Sequence, residues 1–100
     1  MENKISNIQI IPVKPKDGLV GFVSFVFDNC FYVGSIGIHT RPQGGIRLVY
    51  PTRKIATANL SLIHPINKEI ADFVERLVAA KFESLLLRPD EINQTMLHND

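Results

Sequence analysis

The segment Ile63-His64-Pro65-Ile66-Asn67 joins the strand-rich first part of the chain to its one long helical pattern. Pro65 disfavours a helical backbone at His64, because the proline ring clashes with the preceding residue. Asn67 can cap a helix, since its side-chain oxygen accepts a hydrogen bond from an amide of the first helical turn. The segment therefore predicts an extended approach, a corner and a helix that begins just after Asn67.

The helix predicted after this corner runs from Lys68 to about Leu86. Its apolar residues recur close to the 3.6-residue helical period. They are Ile70, Val74, Leu77, Val78, Phe82 and Leu85, with Phe73 broadening the stripe. Glu69 lies where a carboxylate interacts favourably with the helix dipole, and Pro89 is a plausible stop signal. One amphipathic helix is therefore expected near the end of the chain.

The residues before the corner predict an antiparallel sheet of four or five strands. The predicted strands are residues 5–13, 19–27, 30–38 and 46–50, with a short extended piece at residues 60–63. Pro12 suggests that the first strand lies at a sheet edge, because proline cannot donate to a strand ladder. Tight turns are expected at Lys16-Asp17-Gly18 and at Asp28-Asn29, and exposed loops at residues 39–45 and 52–59. The predicted fold class is α+β, with the helix packed on one face of the sheet.

Strand 19–27 is apolar on both sides, but only one long helix exists to cover the sheet. Strict alternation places Leu19, Val23, Phe25 and Phe27 on one face and Val20, Phe22 and Val26 on the other. A second apolar face without a cover usually marks an interface, so the pattern predicts a homodimer. The alternative is a strongly curled sheet whose own strands and loops cover that face.

A chain of 100 residues is long enough for one core, and we expect a single domain at residues 1–88 followed by a polar, flexible tail at residues 89–100. The only cysteine, Cys30, cannot form an intramolecular disulfide, and the chain opens without a leader pattern. The longest apolar run is too short to cross a membrane. These features favour a protein of the reducing cytoplasm, without membrane association.

The sequence contains no pattern that assigns a catalytic, metal or cofactor site. His39, His64 and His98 lack the short spacing of metal ligands, and Gly44-Gly45 lacks the lysine and hydroxyl residue of a phosphate-binding loop. His64 has a structural interpretation at the corner, with a ligand or base as the alternative. We therefore expect a non-enzymatic protein without metal or cofactor.

The charges divide along the chain. Residues 1–56 carry seven basic and three acidic side chains, whereas residues 57–100 carry four basic and seven acidic ones. Arg53 and Lys54 follow a strand directly and could contact phosphates, and Arg41 and Arg47 could extend the positive surface. The alternative is that adjacent basic residues on a polar segment are simply solvated.

Three stretches resemble the stage V sporulation protein G family, also called the septation protein SpoVG family, within residues 5–86. They are the hairpin at residues 25–33, the run Val49-Tyr50-Pro51-Thr52-Arg53-Lys54 and the junction at residues 63–67. One departure is that the family's Asp-Gly turn after the basic run is replaced here by residues 55–59.

The resemblance implies a small dimeric bacterial regulator, linked to septation and sporulation, that binds DNA and is also associated with RNA. It assigns Arg53 and Lys54 to nucleic acid and places Lys68 near the basic start of the family's helix. The nucleic-acid candidates are therefore Arg53, Lys54, Arg41, Arg47 and Lys68. The alternative function is a dimeric protein-interaction module with little specific binding of nucleic acid.

Overall fold

The computed structural model describes residues 4–86 and contains two antiparallel sheets and one helix. The elements are β1 Ile5–Lys16, β2 Leu19–Phe27, β3 Phe31–Thr40, β4 Ile46–Val49, β5 Thr52–Ile55, β6 Ala58–Ser61 and α1 Lys68–Leu86. This architecture confirms the predicted α+β class and the predicted helix. Pro89 and the expected tail at residues 89–100 lie outside the described residues.

Strands β1 to β4 form one antiparallel sheet in the order β1-β2-β3-β4, so β1 lies at an edge as Pro12 predicted. The turn between β1 and β2 uses Asp17 and Gly18, and the next turn uses Asp28 and Asn29. All four residues have positive φ values, between 53° and 90°. This conformation suits tight hairpins, and Asp, Asn and Gly adopt it more readily than other residues.

One bulge in β2 corrects the strict alternation expected for this strand. Leu19 pairs with His39 and Gly21 with Ile38, which leaves Val20 as an extra residue. Val20 consequently packs against the buried core, while Leu19 lies beside His39 on the opposite face. The predicted faces of Leu19 and Val20 were therefore wrong, because a bulge reverses the side-chain direction of the residues that precede it.

Helix α1 covers one face of the four-stranded sheet, as predicted. Val74 and Val78 are the buried residues of the helix. They join a cluster of strand residues that includes Val23, Ile36 and Ile38, of which the two isoleucines are fully buried. This contact between a helical stripe and one sheet face is the hydrophobic core of the described domain.

The expected loop at residues 52–59 is instead a hairpin. Strands β5 and β6 pair antiparallel from Thr52↔Ser61 to Ile55↔Ala58, around a two-residue loop of Ala56 and Thr57. Ala56 adopts φ 56°, a turn conformation that alanine rarely supplies. The prediction failed because this loop lacks the glycine or asparagine that usually signals such a hairpin.

The corner before α1 has the predicted cap. The Ile70 amide donates a hydrogen bond of 2.8 Å to Asn67 Oδ1, and the Ala71 amide donates one of 3.2 Å to the Asn67 carbonyl. Nδ1 of His64 lies 2.9 Å from the Pro65 carbonyl oxygen. The corner therefore satisfies the first helical amides and fixes the start of α1 against the sheet.

Replacing Asn67 with alanine should lower the free energy of unfolding by about 1 kcal/mol, because the Ile70 amide loses its acceptor. Urea denaturation followed by circular dichroism measures this loss. Asn67→Asp is the matched control, since it keeps an acceptor oxygen and should retain most of the stability. Equal losses in both variants would show that the cap is not the stabilising feature.

Candidate nucleic-acid interface

A row of basic side chains crosses the sheet face that α1 leaves uncovered. Lys16 pairs with Leu19, Leu19 with His39, and His39 with Arg47, so the row spans all four strands. Directly opposed residues of an antiparallel ladder share a face, and Lys16 and Arg47 are exposed. We call Lys16, Leu19, His39 and Arg47 the basic row. It places two permanent positive charges and one histidine on one surface.

An apolar row lies beside the basic row on the same face. Ile11 pairs with Phe22, Phe22 with Gly37, and Gly37 with Val49. A Cβ at Gly37 would lie 3.4 Å from both Leu19 Cδ1 and His39 Nε2, so the two rows touch at this glycine. Phe22 remains 38% exposed and Ile11 67% exposed. The face therefore combines cations with an accessible aromatic ring.

A second aromatic side chain is exposed farther along this face. Tyr32 pairs with Val26 in the ladder between β2 and β3. Its ring lies across Gly34, where a Cβ would approach the ring to 2.8 Å, and the residue is 75% exposed. Gly34 is thus required for this position of the ring. Exposed aromatic rings are among the elements with which proteins stack nucleic-acid bases.

Arg41 lies on the other side of the sheet, where its contacts are internal. Its Nε donates a hydrogen bond of 2.8 Å to the Ile46 carbonyl. Its guanidinium also binds both carboxylate oxygens of Glu75 on α1, at 3.2 and 3.1 Å. Arg41 therefore ties the loop after β3 to the helix, and the structure does not bring it together with Arg47.

The remaining predicted residues occupy two further places. Arg53 and Lys54 are exposed neighbours in β5, so their side chains project from opposite faces of the hairpin. Lys68 Nζ lies 2.7 Å from Asp72 Oδ2, one helical turn later, as an exposed ion pair. The five predicted residues therefore scatter, and only Arg47 belongs to the basic row.

Sequence reasoning missed Lys16 and His39 as partners of Arg47. Their separation along the chain hides their proximity, which depends on the register of three strand pairings. The turn at Asp17-Gly18 gave the register of β1 on β2. The register of β3 on β4 follows a longer loop and had no comparable signal.

The side chain of Tyr50 is influenced by the charge of Glu75, the residue that binds Arg41. The Tyr50 hydroxyl is buried and has no hydrogen-bond partner among residues 4–86. Burial, together with the negative charge of Glu75, raises the pKa of Tyr50 to about 12. The phenol therefore stays neutral well above the pH at which an exposed tyrosine ionises.

The raised pKa of Tyr50 predicts a loss of stability at alkaline pH. The folded protein holds the phenol proton more tightly than the unfolded chain, whose tyrosine pKa is 10.0. The contribution is complete below pH 10 and disappears as the pH rises from about 10 to about 12. Tyr50→Phe should reduce this alkaline sensitivity, as measured by urea denaturation across that range.

The exposed Tyr32 provides the control for this measurement. Tyr32→Phe should leave the alkaline stability profile close to that of the unmodified protein. Ultraviolet absorbance of tyrosinate should show the ionisation near pH 12 disappearing in Tyr50→Phe. A profile that changes equally in both variants would contradict the role of Tyr50.

Two further properties concern the part of the chain that the structure describes. Within residues 4–86, no group of three or more His, Cys, Asp or Glu side chains is arranged to hold a metal ion. The one helix in this range is not long and apolar enough to cross a membrane.

The sequence of this domain matches a known protein family. The model of the SpoVG family matches residues 3–84. The chain belongs to the SpoVG family. The matched range contains the basic row, the hairpin of β5 and β6, the corner and nearly all of α1.

Several relatives carry the name "Putative septation protein SpoVG". The one from Caldicellulosiruptor saccharolyticus is 31% identical over 84 residues, which cover 83% of this chain and 94% of that protein. The one from Phytoplasma australiense is 29% identical over 89 residues, covering 88% and 92%. The one from Clostridioides difficile is 27% identical over 86 residues, covering 85% and 92%. The similarity therefore extends over nearly the whole of each relative.

Proposed function

We propose that this protein is a non-enzymatic, cytoplasmic regulator that binds nucleic acid as a homodimer and acts in septation. Family membership and the names of the relatives support the role in septation. The binding of nucleic acid is supported by the uncovered sheet face, which presents the basic row beside Phe22. DNA is the first candidate ligand and RNA the second.

The observation that carries the proposal is the position of the basic row on a face that nothing in residues 4–86 covers. Lys16 and Arg47 stand at the two edges of the sheet, three strand spacings apart, which is roughly 14 Å at ~4.8 Å per spacing. This separation exceeds that of adjacent phosphates, so the two cations would contact different phosphates of one strand. Phe22 lies between the two edges, where a base could stack on its ring.

The other basic candidates have separate proposed roles. Lys54 projects from the exposed hairpin and can extend the phosphate contacts beyond the sheet. Arg53 and Lys68 remain candidates, although Lys68 must exchange Asp72 for a phosphate. Arg41 contributes through the loop that it fixes, because Glu75 and the Ile46 carbonyl occupy its guanidinium.

A second candidate function is that of a dimeric protein-interaction module. The observation that favours it is an apolar groove of about 550 Å³ between the first turns of α1 and the ends of β2 and β3. Phe31 and Ile66 lie at its lips and are 65% and 89% exposed. This function predicts capture of a defined protein partner and only weak binding of nucleic acid.

Substitutions in the basic row should weaken nucleic-acid binding in a salt-dependent way. If Arg47 contacts a phosphate, Arg47→Gln should reduce the slope of log affinity against log salt by roughly 0.7 for single strands and 0.9 for duplexes. Lys16→Gln should act similarly. Fluorescence anisotropy with randomised DNA and RNA oligonucleotides, single-stranded and double-stranded, measures these slopes.

Lys81→Gln is the matched control, because Lys81 is exposed on α1 and its loss removes the same charge. Its slope should equal that of the unmodified protein. The double variant Arg53→Ala with Lys54→Ala tests the hairpin separately. Absence of binding at low salt would reject the proposed function, and unchanged slopes in Lys16→Gln and Arg47→Gln would reject the basic row as the site.

A further inference from the structure

The hairpin of β5 and β6, which we call the arm, has one apolar face in solvent. All eight strand residues of the arm are exposed. Their pairing separates them into two faces. The apolar face carries Arg53, Ile55, Ala58 and Leu60. The polar face carries Thr52, Lys54, Asn59 and Ser61.

Such an arm needs a cover. A single two-stranded hairpin is marginally stable in water, and the strands of this arm pack chiefly on each other. Ile55 and Leu60 are 49% and 48% exposed, and Leu62 just beyond β6 is 60% exposed. These side chains form a contiguous apolar strip, which is the kind of surface that becomes buried in an interface.

The apolar groove under the corner has the complementary property. It is lined mostly by apolar side chains, including Phe25, Phe27, Ile70 and Val74, and it remains open. Its volume of about 550 Å³ falls in the range of pockets that bind ligands or several side chains. The arm and the groove are therefore two unfilled apolar surfaces of the same chain.

The arm does not enter the groove of its own chain. Tyr50 precedes the arm and Ile63 follows it, and both line the groove, so the base of the arm lies at the groove's rim. The Leu62 amide donates a hydrogen bond of 3.1 Å to the Pro51 carbonyl, which extends the ladder of the arm to its base. None of the strand residues of the arm lines the groove, so the arm lies outside it.

We propose that the arm of each protomer occupies the groove of a second copy of this chain. This inference rests on the homodimer of the proposed function and specifies its interface. An exchange of arms about a two-fold axis buries the apolar face of both arms and fills both grooves. The two contacts are equivalent, as a self-complementary dimer requires. Each arm begins at the rim of its own groove. A two-fold axis near that rim therefore brings the arm of one protomer to the groove of the other.

The charges agree with this exchange. Within Thr52–Ser61 the arm carries Arg53 and Lys54 and no acidic residue. Beside the groove, Lys68 pairs with Asp72 and Lys4 with Asp28, so that Glu69 in the first turn of α1 leaves this side with one net negative charge. Arg53 lies on the apolar face of the arm and enters the partner with it. Face-to-face packing of the uncovered sheet faces would instead bring two basic rows together, which is unfavourable.

Light scattering on the full chain tests the interface. The unmodified protein should have the mass of two chains. Leu60→Glu in the arm and Phe31→Glu at the groove should each raise the dimer dissociation constant by roughly a hundredfold, because each substitution damages two contacts per dimer. Ile11→Glu is the matched control, since Ile11 is similarly exposed but lies on the uncovered sheet face.

The results distinguish failure of the homodimer from failure of the arm exchange. A single-chain mass for the unmodified protein would overturn the homodimer and the exchange together, whereas a dimer that persists in Leu60→Glu would overturn the exchange alone. Dissociation by Ile11→Glu but not by Leu60→Glu would place the interface on the uncovered face. Circular dichroism must show that every variant remains folded, and Leu60→Ser and Phe31→Ser replace any variant that does not.

Mixing the two variants gives the sharper test. In a mixed dimer, the intact arm of the Phe31→Glu protomer binds the intact groove of the Leu60→Glu protomer. The second contact then joins the substituted arm of Leu60→Glu to the substituted groove of Phe31→Glu. The mixture should therefore dimerise more tightly than either variant alone, with one of its two contacts restored. Mixed samples that stay as monomeric as the separate variants would contradict reciprocal exchange.

Discussion

The packing of one helix on one face of a four-stranded sheet is the constraint on which the other features depend. Val74 and Val78 complete a core with the inward residues of β2 and β3. A helix of 19 residues is about 28 Å long at 1.5 Å per residue, and its stripe can cover a single face. The Asn67 cap sets where this helix begins, and thereby where the groove under the corner lies. The uncovered face and the arm lie outside this one contact, and the groove opens at its edge, where Val74 belongs to both.

The covered and uncovered faces of the sheet also carry different basic residues. Arg41 faces the helix and is held by Glu75, while Arg47 faces away and aligns with Lys16 and His39. Two arginines only six positions apart therefore have different roles. The helix-side arginine fixes a loop in an ion pair with Glu75. The other stands on an open surface, where a phosphate can reach it.

The two proposals use separate surfaces and are compatible. Exchange of arms would bury the groove and the apolar face of the arm, and it would leave both basic rows accessible. A dimer of this kind presents the rows in two-fold arrangement, which increases the effective concentration of the second binding surface once the first is occupied. Lys54, on the polar face of the arm, remains exposed in such a dimer.

The sequence by itself determined the elements whose signals are local. The proline and asparagine of the corner, the 3.6-residue period of α1 and the turn residues Asp17-Gly18 and Asp28-Asn29 act within a few positions, so their consequences were predictable. The family was recognisable for the same reason, because its motifs are short and contiguous. The single helix likewise predicted that one sheet face would lack a cover.

The tertiary structure alone decided what depends on register between distant strands. A bulge at Val20 reversed the face of Leu19, and the pairing of β3 with β4 aligned Arg47 with His39. Residues 52–59 became a hairpin around Ala56 because the ladder from Thr52 to Ser61 outweighs the weak turn sequence. One extra residue in a strand changes every side-chain direction on one side of it. For this reason the candidate site could not be read from the spacing of its residues along the chain.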